Sequence, residues 1–295
     1  MKNTCIVIVT YNGKRVLKDT IISLKNMTCQ DFDVVVIDNA STDGTDTLLK
    51  QNFLDIIYLK QDYNWGFAKG CNIGIKYSLD NNYQYTLLLN NDVEVDEYLL
   101  ARMIELSNEN TIVVPKIYFY DKPTTIWYAG GEILYNRMES HNIGYGECDN
   151  GQYEKIREIE FLNGCCVLVH NNIWKKSGLF DEDYFMYFED FDYGIRAKKN
   201  GIHILYQPRA RVWHKVSTST GGENSKMQVY YMTRNRLIFS KKNEEVFGIR
   251  AKAYAFIKNL IKIIIALVYK KNNRYIIKGY LDYKMGVVGK AREEI

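Results

Sequence analysis

The sequence predicts an α/β fold: an open, mostly parallel central sheet flanked by helices, with a helical extension at the C-terminal end. Three observations predict it. Short, continuous apolar runs such as Cys5-Ile6-Val7-Ile8-Val9 alternate with segments of helical period. The runs are apolar throughout rather than every second residue, as strands buried on both faces are. After about residue 240 the chain turns into a basic segment that is again helical in period.

The elements follow in order. Residues 5–9 form the first strand, and 14–26 a helix with Val16, Leu17, Ile21 and Leu24 on one face. Residues 33–38 form the second strand, whose polar turn Asn39-Ala40-Ser41-Thr42-Asp43-Gly44 leads into a helix over 45–52. A strand over 55–59, a helix over 68–79 and a strand over 85–90 continue the alternation. A helix over 96–107 and a strand over 111–114 close the series. From about Lys116 the pattern becomes irregular and aromatic, as expected of a region that builds a substrate surface. Strands over 161–170 and 202–206 and helices over 190–200 and 228–240 stand out within it. The expected division is a body over 1–240, with halves 1–115 and 116–240, followed by a tail over 241–295.

Composition narrows the class. With 295 residues, 46% apolar and 25% charged, the chain is an ordinary globular protein, which excludes disorder and collagen-like repeats. The apolar run after Met1-Lys2-Asn3-Thr4 is too short for a signal-peptide core, and no uncharged stretch is long enough to span a bilayer. Six cysteines at irregular spacing match neither a disulfide framework nor a zinc site, so a reduced, cytoplasmic protein is expected. The net charge of +4 hides an asymmetry, because residues 241–295 hold 13 Lys/Arg against 5 Asp/Glu. A slightly acidic body with a basic tail argues against nucleic acid as a partner.

In sheets of this kind ligands bind beyond the carboxyl ends of the strands. There the sequence places Thr10-Tyr11-Asn12, Asp38-Asn39 and Asn90-Asn91-Asp92. Each of these also suits a plain turn; three together point to a ligand edge. Neither a G-x-G-x-x-G turn after the first strand nor a G-x-x-x-x-G-K-[ST] loop is present, which argues against a dinucleotide oxidoreductase and a P-loop NTPase. Asp38 suits a ribose or base donor, and Asp92 suits a hard cation.

These residues resemble family 2 glycosyltransferases. Val7-Ile8-Val9-Thr10-Tyr11-Asn12, Val36-Ile37-Asp38-Asn39-Ala40-Ser41-Thr42-Asp43-Gly44-Thr45, Asn64-Trp65-Gly66-Phe67-Ala68-Lys69-Gly70-Cys71-Asn72 and Leu89-Asn90-Asn91-Asp92-Val93 follow the family's motifs in order. Downstream, Gly178-Leu179-Phe180-Asp181-Glu182, Phe188-Glu189-Asp190-Phe191-Asp192 and Arg211-Val212-Trp213-His214 continue the likeness, which covers about residues 4–240. Within the family the sequence looks closest to the rhamnosyltransferase-like branch. The resemblance implies a GT-A fold and inverting transfer from a dTDP- or UDP-sugar to a glycan or lipid-linked acceptor. It assigns the donor to Thr10, Tyr11, Asn12, Asp38, Asn39, Gly70, Asn72, Asn90 and Asn91, with Arg234 at the diphosphate. It assigns Mn²⁺ or Mg²⁺ to Asp92 and His214, the base to Asp190, and the acceptor to Glu189 and Gly164. The family's D-x-D motif departs here to Asn90-Asn91-Asp92, which removes one metal-binding carboxylate.

The chemistry of the residues agrees with those roles. An inverting transfer needs one base for the acceptor hydroxyl, and neighbouring acids such as Glu189, Asp190 and Asp192 raise each other's pKa. Acids at a helix start are equally favoured by the helix dipole. Arg234 and Arg236 cannot share a helix face, so at most one reaches the diphosphate. The polar stretch over 217–224 is expected to close over the donor.

In the tail, Ile257, Leu260, Ile261, Ile263, Ile264, Leu267 and Val268 share one helix face, with Lys258 and Lys262 opposite. Lys270, Lys271, Arg274 and Lys278 extend the charge. This favours peripheral contact of residues 250–280 with the inner face of the plasma membrane; packing on the body or in a homodimer is the alternative. Two other functions remain to be weighed. A sugar-nucleotide pyrophosphorylase needs a Gly-rich basic loop that Thr10-Tyr11-Asn12-Gly13 does not supply, whereas a non-catalytic nucleotide-sugar scaffold is compatible with Asn90.

Overall fold

The computed structural model describes residues 2–216, 225–268 and 273–292. The 217–224 stretch lies outside the described residues, as do Lys270 and Lys271 and the side chains of Leu260, Lys262, Ile263, Ile264, Leu267 and Val268.

The chain forms β1 (Thr4–Thr10), α1 (Lys14–Lys25), β2 (Phe32–Asp38), α2 (Thr45–Asn52), β3 (Ile57–Lys60), α3 (Gly66–Asp80) and β4 (Tyr85–Asn90). Then come β5 (Val93–Val95), α4 (Leu99–Ile104), β6 (Thr111–Phe119), β7 (Lys122–Tyr128), β8 (Gly131–Leu134), β9 (Glu139–Asn142) and β10 (Arg157–Glu158). The remainder is β11 (Cys166–His170), α5 (Asn171–Ser177), α6 (Glu189–Lys199), β12 (His203–His214), α7 (Lys226–Lys242), α8 (Ile249–Val268) and α9 (Asn273–Lys284).

The central sheet runs β10-β12-β6-β11-β4-β1-β2-β3. Strands β3, β2, β1, β4, β6 and β12 point one way, while β11, wedged between β4 and β6, and β10 run against them. The fold is therefore α/β with a mixed, mostly parallel sheet flanked by helices and a C-terminal helical extension. Ile6, Val7, Ile8, Val35, Val36, Leu87 and Leu88 are buried in it, each such side chain contributing about 1.5–3 kcal/mol. The side chain of Val7 also meets α3, which is possible because Gly74 has no Cβ: one built there would lie 2.1 Å from Val7 Cγ1.

Strands β6, β12 and β11 differ from expectation. The sequence suggests ends at residues 114 and 206, yet β6 and β12 continue to Phe119 and His214, pairing beyond a register shift between Gln207 and Arg211. Pro208, which lacks an N–H, falls inside that shift. β11 begins only at Cys166, because residues 161–165 cross the edge of the sheet and form part of the site.

α8 faces the body with Ala251 and Ala255, both buried, and Lys258 joins Arg236 on Glu139 of β9. Among the described side chains of α8, Ile249 is 84% exposed, Phe256 65% and Ile257 54%. Among the described residues no helix is long and apolar enough to cross a membrane. The six cysteines form no disulfide.

Candidate active site

The parallel register sets Thr10 beside Asp38, so β1 and β2 end together. The Asn39 amide donates to the Thr10 carbonyl at 2.9 Å, and Asn91 Nδ2 donates to Thr10 Oγ1 at 2.9 Å. Asp38 is fully buried, its two oxygens accepting from the Ser41 amide (2.8 Å) and the Tyr58 hydroxyl (2.6 Å). Asn12 has a left-handed φ of 51°; its amide donates to Ser41 Oγ and its Oδ1 accepts from the Thr42 amide. It thereby fixes the turn after β2, while Tyr11 stands exposed at the rim. Asn39 donates through Nδ2 to the Gly66 carbonyl at 2.9 Å, and its buried Oδ1 has no partner among the described residues. A buried acceptor without a donor is costly.

Beyond β4 the turn Asn90-Asn91-Asp92 passes at once into β5, which pairs with β12 so that Val93 sits opposite His214. Thr20, buried beneath the turn, bonds the Asn91 and Val93 backbone. The pairing brings His214 Nε2 to 3.2 Å from Asp92 Oδ1 and 3.5 Å from Asn90 Nδ2. Burial disfavours the imidazolium, but the neighbouring Cys165 sulfur and Asp92 carboxylate outweigh it and raise the His214 pKa above its usual value. Burial raises the Cys165 pKa too. Since that keeps it a neutral thiol near pH 7, the carboxylate is the partner that matters there. Trp127 packs edge-on against the ring at 4.8 Å. A cavity of about 280 Å³ opens beside His214, lined among others by Phe119, Tyr120 and Thr125.

The third part of the site comes from the antiparallel insertion. Because β11 runs against β4, the start of β11 lies at the end of β4, and the Asn90 amide donates to the Cys165 carbonyl at 2.9 Å. The Gly164 amide then donates to Asp190 Oδ2 at 3.0 Å, and the Phe191 amide to Asp190 Oδ1 at 2.8 Å. A Cβ built on Gly164 would lie 3.4 Å from the Phe67 ring. Phe67 in turn donates its amide to the Phe185 carbonyl. Hydrogen bonds link Asn39 with Thr10, Thr10 with Asn91, Asn90 with Cys165 and Gly164 with Asp190, with Asp38 and Asp92 next in sequence to Asn39 and Asn91. The three aspartates thus share one edge of the sheet.

Asp190 heads α6, whose preceding residues Tyr187 and Phe188 have left-handed φ values of 66° and 78°. For residues other than glycine such angles cost on the order of 1–3 kcal/mol each. Glu189 is buried, and its Oε2 lacks a partner among the described residues. Burial, with the charge of Asp190 added, holds the Glu189 carboxyl well above the usual range; burial also raises that of Asp190, against the pull of the Gly164 and Phe191 amides.

Gly70 adjoins the site: a Cβ there would come within 2.7 Å of Val9 and 3.3 Å of Asn39 Nδ2. Two expected donor residues are engaged elsewhere. Asn72 spends both amide hydrogens on the Phe180 carbonyl and Glu182, and its Oδ1 accepts the Phe180 amide, so it ties α3 to the loop before α6. Arg234 is fully buried among Tyr230 and Tyr231 rather than presented to a ligand, and Arg236 is bound to Glu139. Sequence reasoning missed Thr20 and Tyr58, which position Asn91 and Asp38 from 71 and 20 positions away and carry no motif of their own.

Among the described residues no group of three or more His, Cys, Asp or Glu is arranged to hold a metal. Asp92 and His214 are nevertheless adjacent, and a carboxylate with an imidazole is a donor pair that Mn²⁺ accepts. They fit a cation that takes its other ligands from diphosphate and water.

The model of the family described as "Glycosyl transferase family 2" matches residues 5–168. The low-salt glycan biosynthesis hexosyltransferase Agl10 of Haloferax volcanii is 24% identical over 92% of this chain and 86% of its own. The dTDP-rhamnosyl transferase RfbF of Shigella flexneri is 27% identical over 98% of both chains. Among solved structures, GalNAc-T7 with UDP, GalNAc and Mn²⁺ is similar with a TM-score of 0.63 at 17% identity over 82% of this chain. The chain spans 48% of that structure, and the likeness is one of fold. With more than half of its length matched to the family model and the motif residues gathered at one sheet edge, the chain belongs to glycosyl transferase family 2.

Proposed function

We propose that the protein is an inverting glycosyltransferase that moves a sugar from a nucleoside-diphosphate donor to a hydroxyl of a glycan or lipid-linked acceptor, in the synthesis of cell-surface polysaccharide. The observation that supports this best is the chain of hydrogen bonds through Thr10, Asn91, Asn90, Cys165 and Gly164 that gathers Asp38, Asp92 and Asp190. Asp38 and the open Asn39 Oδ1 accept hydrogen bonds from the ribose and base. Asp190 takes the proton of the acceptor hydroxyl as its oxygen attacks the anomeric carbon from the face opposite the diphosphate, whose bond breaks in the same step. Asp92 and His214 would hold Mn²⁺ or Mg²⁺, which when bound neutralises the negative charge growing on the diphosphate. Glu189, kept neutral by burial, donates to the acceptor.

The motif resemblance and the likeness to RfbF along 98% of the chain favour dTDP-rhamnose as donor, with a UDP-hexose next. Membrane contact through residues 250–280 belongs to the same reading, since the outward apolar residues of α8 would bring the site to a lipid-linked acceptor. Asn90 in place of a carboxylate favours a second reading, a scaffold that binds nucleotide sugar without turnover. Nucleoside diphosphate release from dTDP- and UDP-sugars, with and without acceptor and with Mn²⁺ or Mg²⁺, separates the two. We expect acceptor-stimulated release with inversion at the anomeric carbon. Donor binding without transfer to any acceptor would establish the scaffold instead.

A further inference from the structure

We propose that Asn235, on α7, is a positioning residue for Asp190: it holds the backbone kink that aims the head of α6 into the site. The proposal rests on the transfer reaction above. Asn235 has no exposed surface. Its Nδ2 donates to the Met186 carbonyl at 2.8 Å and to the Tyr187 carbonyl at 3.0 Å. Its Oδ1 accepts from Arg234 Nε at 3.0 Å and from the second terminal nitrogen at 2.9 Å. Both amide hydrogens and both lone pairs are used, and turning the amide over would set oxygen against two carbonyls and NH₂ against a guanidinium. One orientation is possible.

What this side chain grips is the segment that delivers the base. Tyr187 and Phe188 both adopt the left-handed conformation, which residues with a Cβ resist. α6 starts at the next residue, and Asp190 is in its first turn. Without the two bonds from Asn235, the backbone would relax toward extended or right-handed angles, and Asp190 would turn away from Gly164. Arg234 acts behind it. The guanidinium lies 4.9 Å from the Tyr231 ring and 5.4 Å from that of Tyr230, whose hydroxyl donates to Asp282 of α9 at 2.6 Å. The arginine expected at the diphosphate thus orients Asn235, and α9 reaches the catalytic segment through it.

The test compares the full-length wild type with N235A, N235S and the double variant N235A/Y187G. For N235A we expect kcat to fall about tenfold or more, with donor KM and calorimetric donor affinity changed less than about threefold. N235S keeps one donor and should lie between. Amide hydrogen exchange should quicken over residues 186–192 in N235A, with no ligand present. Because glycine takes a positive φ without steric cost, Y187G should restore a large part of the lost kcat in the N235A background. Wild-type kcat in folded N235A, unchanged exchange over 186–192, no recovery in the double variant, or equal losses in kcat and donor affinity would each overturn the proposal. Should N235A not fold, N235S decides by the same kcat, affinity and exchange criteria. A wild type that transfers no sugar would sink the proposed function, while the exchange comparison still reads on Asn235.

Discussion

The Asp190 carboxylate receives the Gly164 amide at 3.0 Å, and this bond joins the head of α6 to the loop that enters β11. One residue further on, the Cys165 carbonyl holds the Asn90 amide. The candidate base is therefore linked to the Asn90-Asn91-Asp92 turn through a single dipeptide, although about a hundred positions of sequence separate them.

Replacing Asp190 by Asn keeps an oxygen for the Gly164 amide and removes the base. Turnover should fall by about 10²–10⁴-fold. Donor affinity, measured by calorimetry, should stay near that of the wild type. A D190N variant with normal nucleoside diphosphate release would remove the base from this residue.

The pH profile follows from the direction of the Asp190 shift. A base must be ionised, and burial raises the Asp190 pKa above the ordinary value of 3.8. As pH falls through the raised pKa the residue is protonated and kcat/KM drops, so the acid limb should lie above that of an unperturbed aspartate. Glu189 is shifted further and is already neutral where Asp190 is charged. E189Q mimics that neutral acid, and a limb displaced in this variant would show that Glu189 carries charge instead.

Asp92 and His214, 3.2 Å apart, lead to a metal prediction. Chelation should abolish turnover, and D92N or H214A should raise the Mn²⁺ concentration for half-maximal binding in the presence of nucleoside diphosphate by about tenfold or more. Titration followed by electron paramagnetic resonance checks this without recourse to activity. Full turnover in excess chelator would count against the assignment.

The outward residues of α8 give the last test. F256E and I257E together should weaken co-sedimentation with phosphatidylglycerol vesicles by about tenfold or more. Release of nucleoside diphosphate with a water-soluble acceptor should not change. Equal sedimentation of variant and wild type would leave the outward face without a lipid role.

Much of the first 115 residues was legible because β1, β2 and β4 are apolar runs ending in a polar signal. β4 ends at Asn90 and α2 spans Thr45–Asn52, as the spacing indicates. The Asp92–His214 contact was suggested only by motif, since no local pattern announces the three-residue β5 that creates it. Arg234 shows the opposite limit. Its spacing leaves one helix face open to it, but which face is buried depends on α9, and that packing has no trace in the local sequence. Asn72 failed for a similar reason: its partners Phe180 and Glu182 come from a distant loop.

Strand β11 enters the sheet against its neighbours, so residues reach the ligand edge from the chain leading into it rather than from the chain leaving it. The chain between β6 and that entry carries the β8–β9 hairpin, a two-stranded sheet of its own, so the length of that hairpin does not set the register of β3, β2, β1 and β4. Under the proposed function, a change of acceptor could then be accommodated in one surface excursion while the donor edge stays as it is.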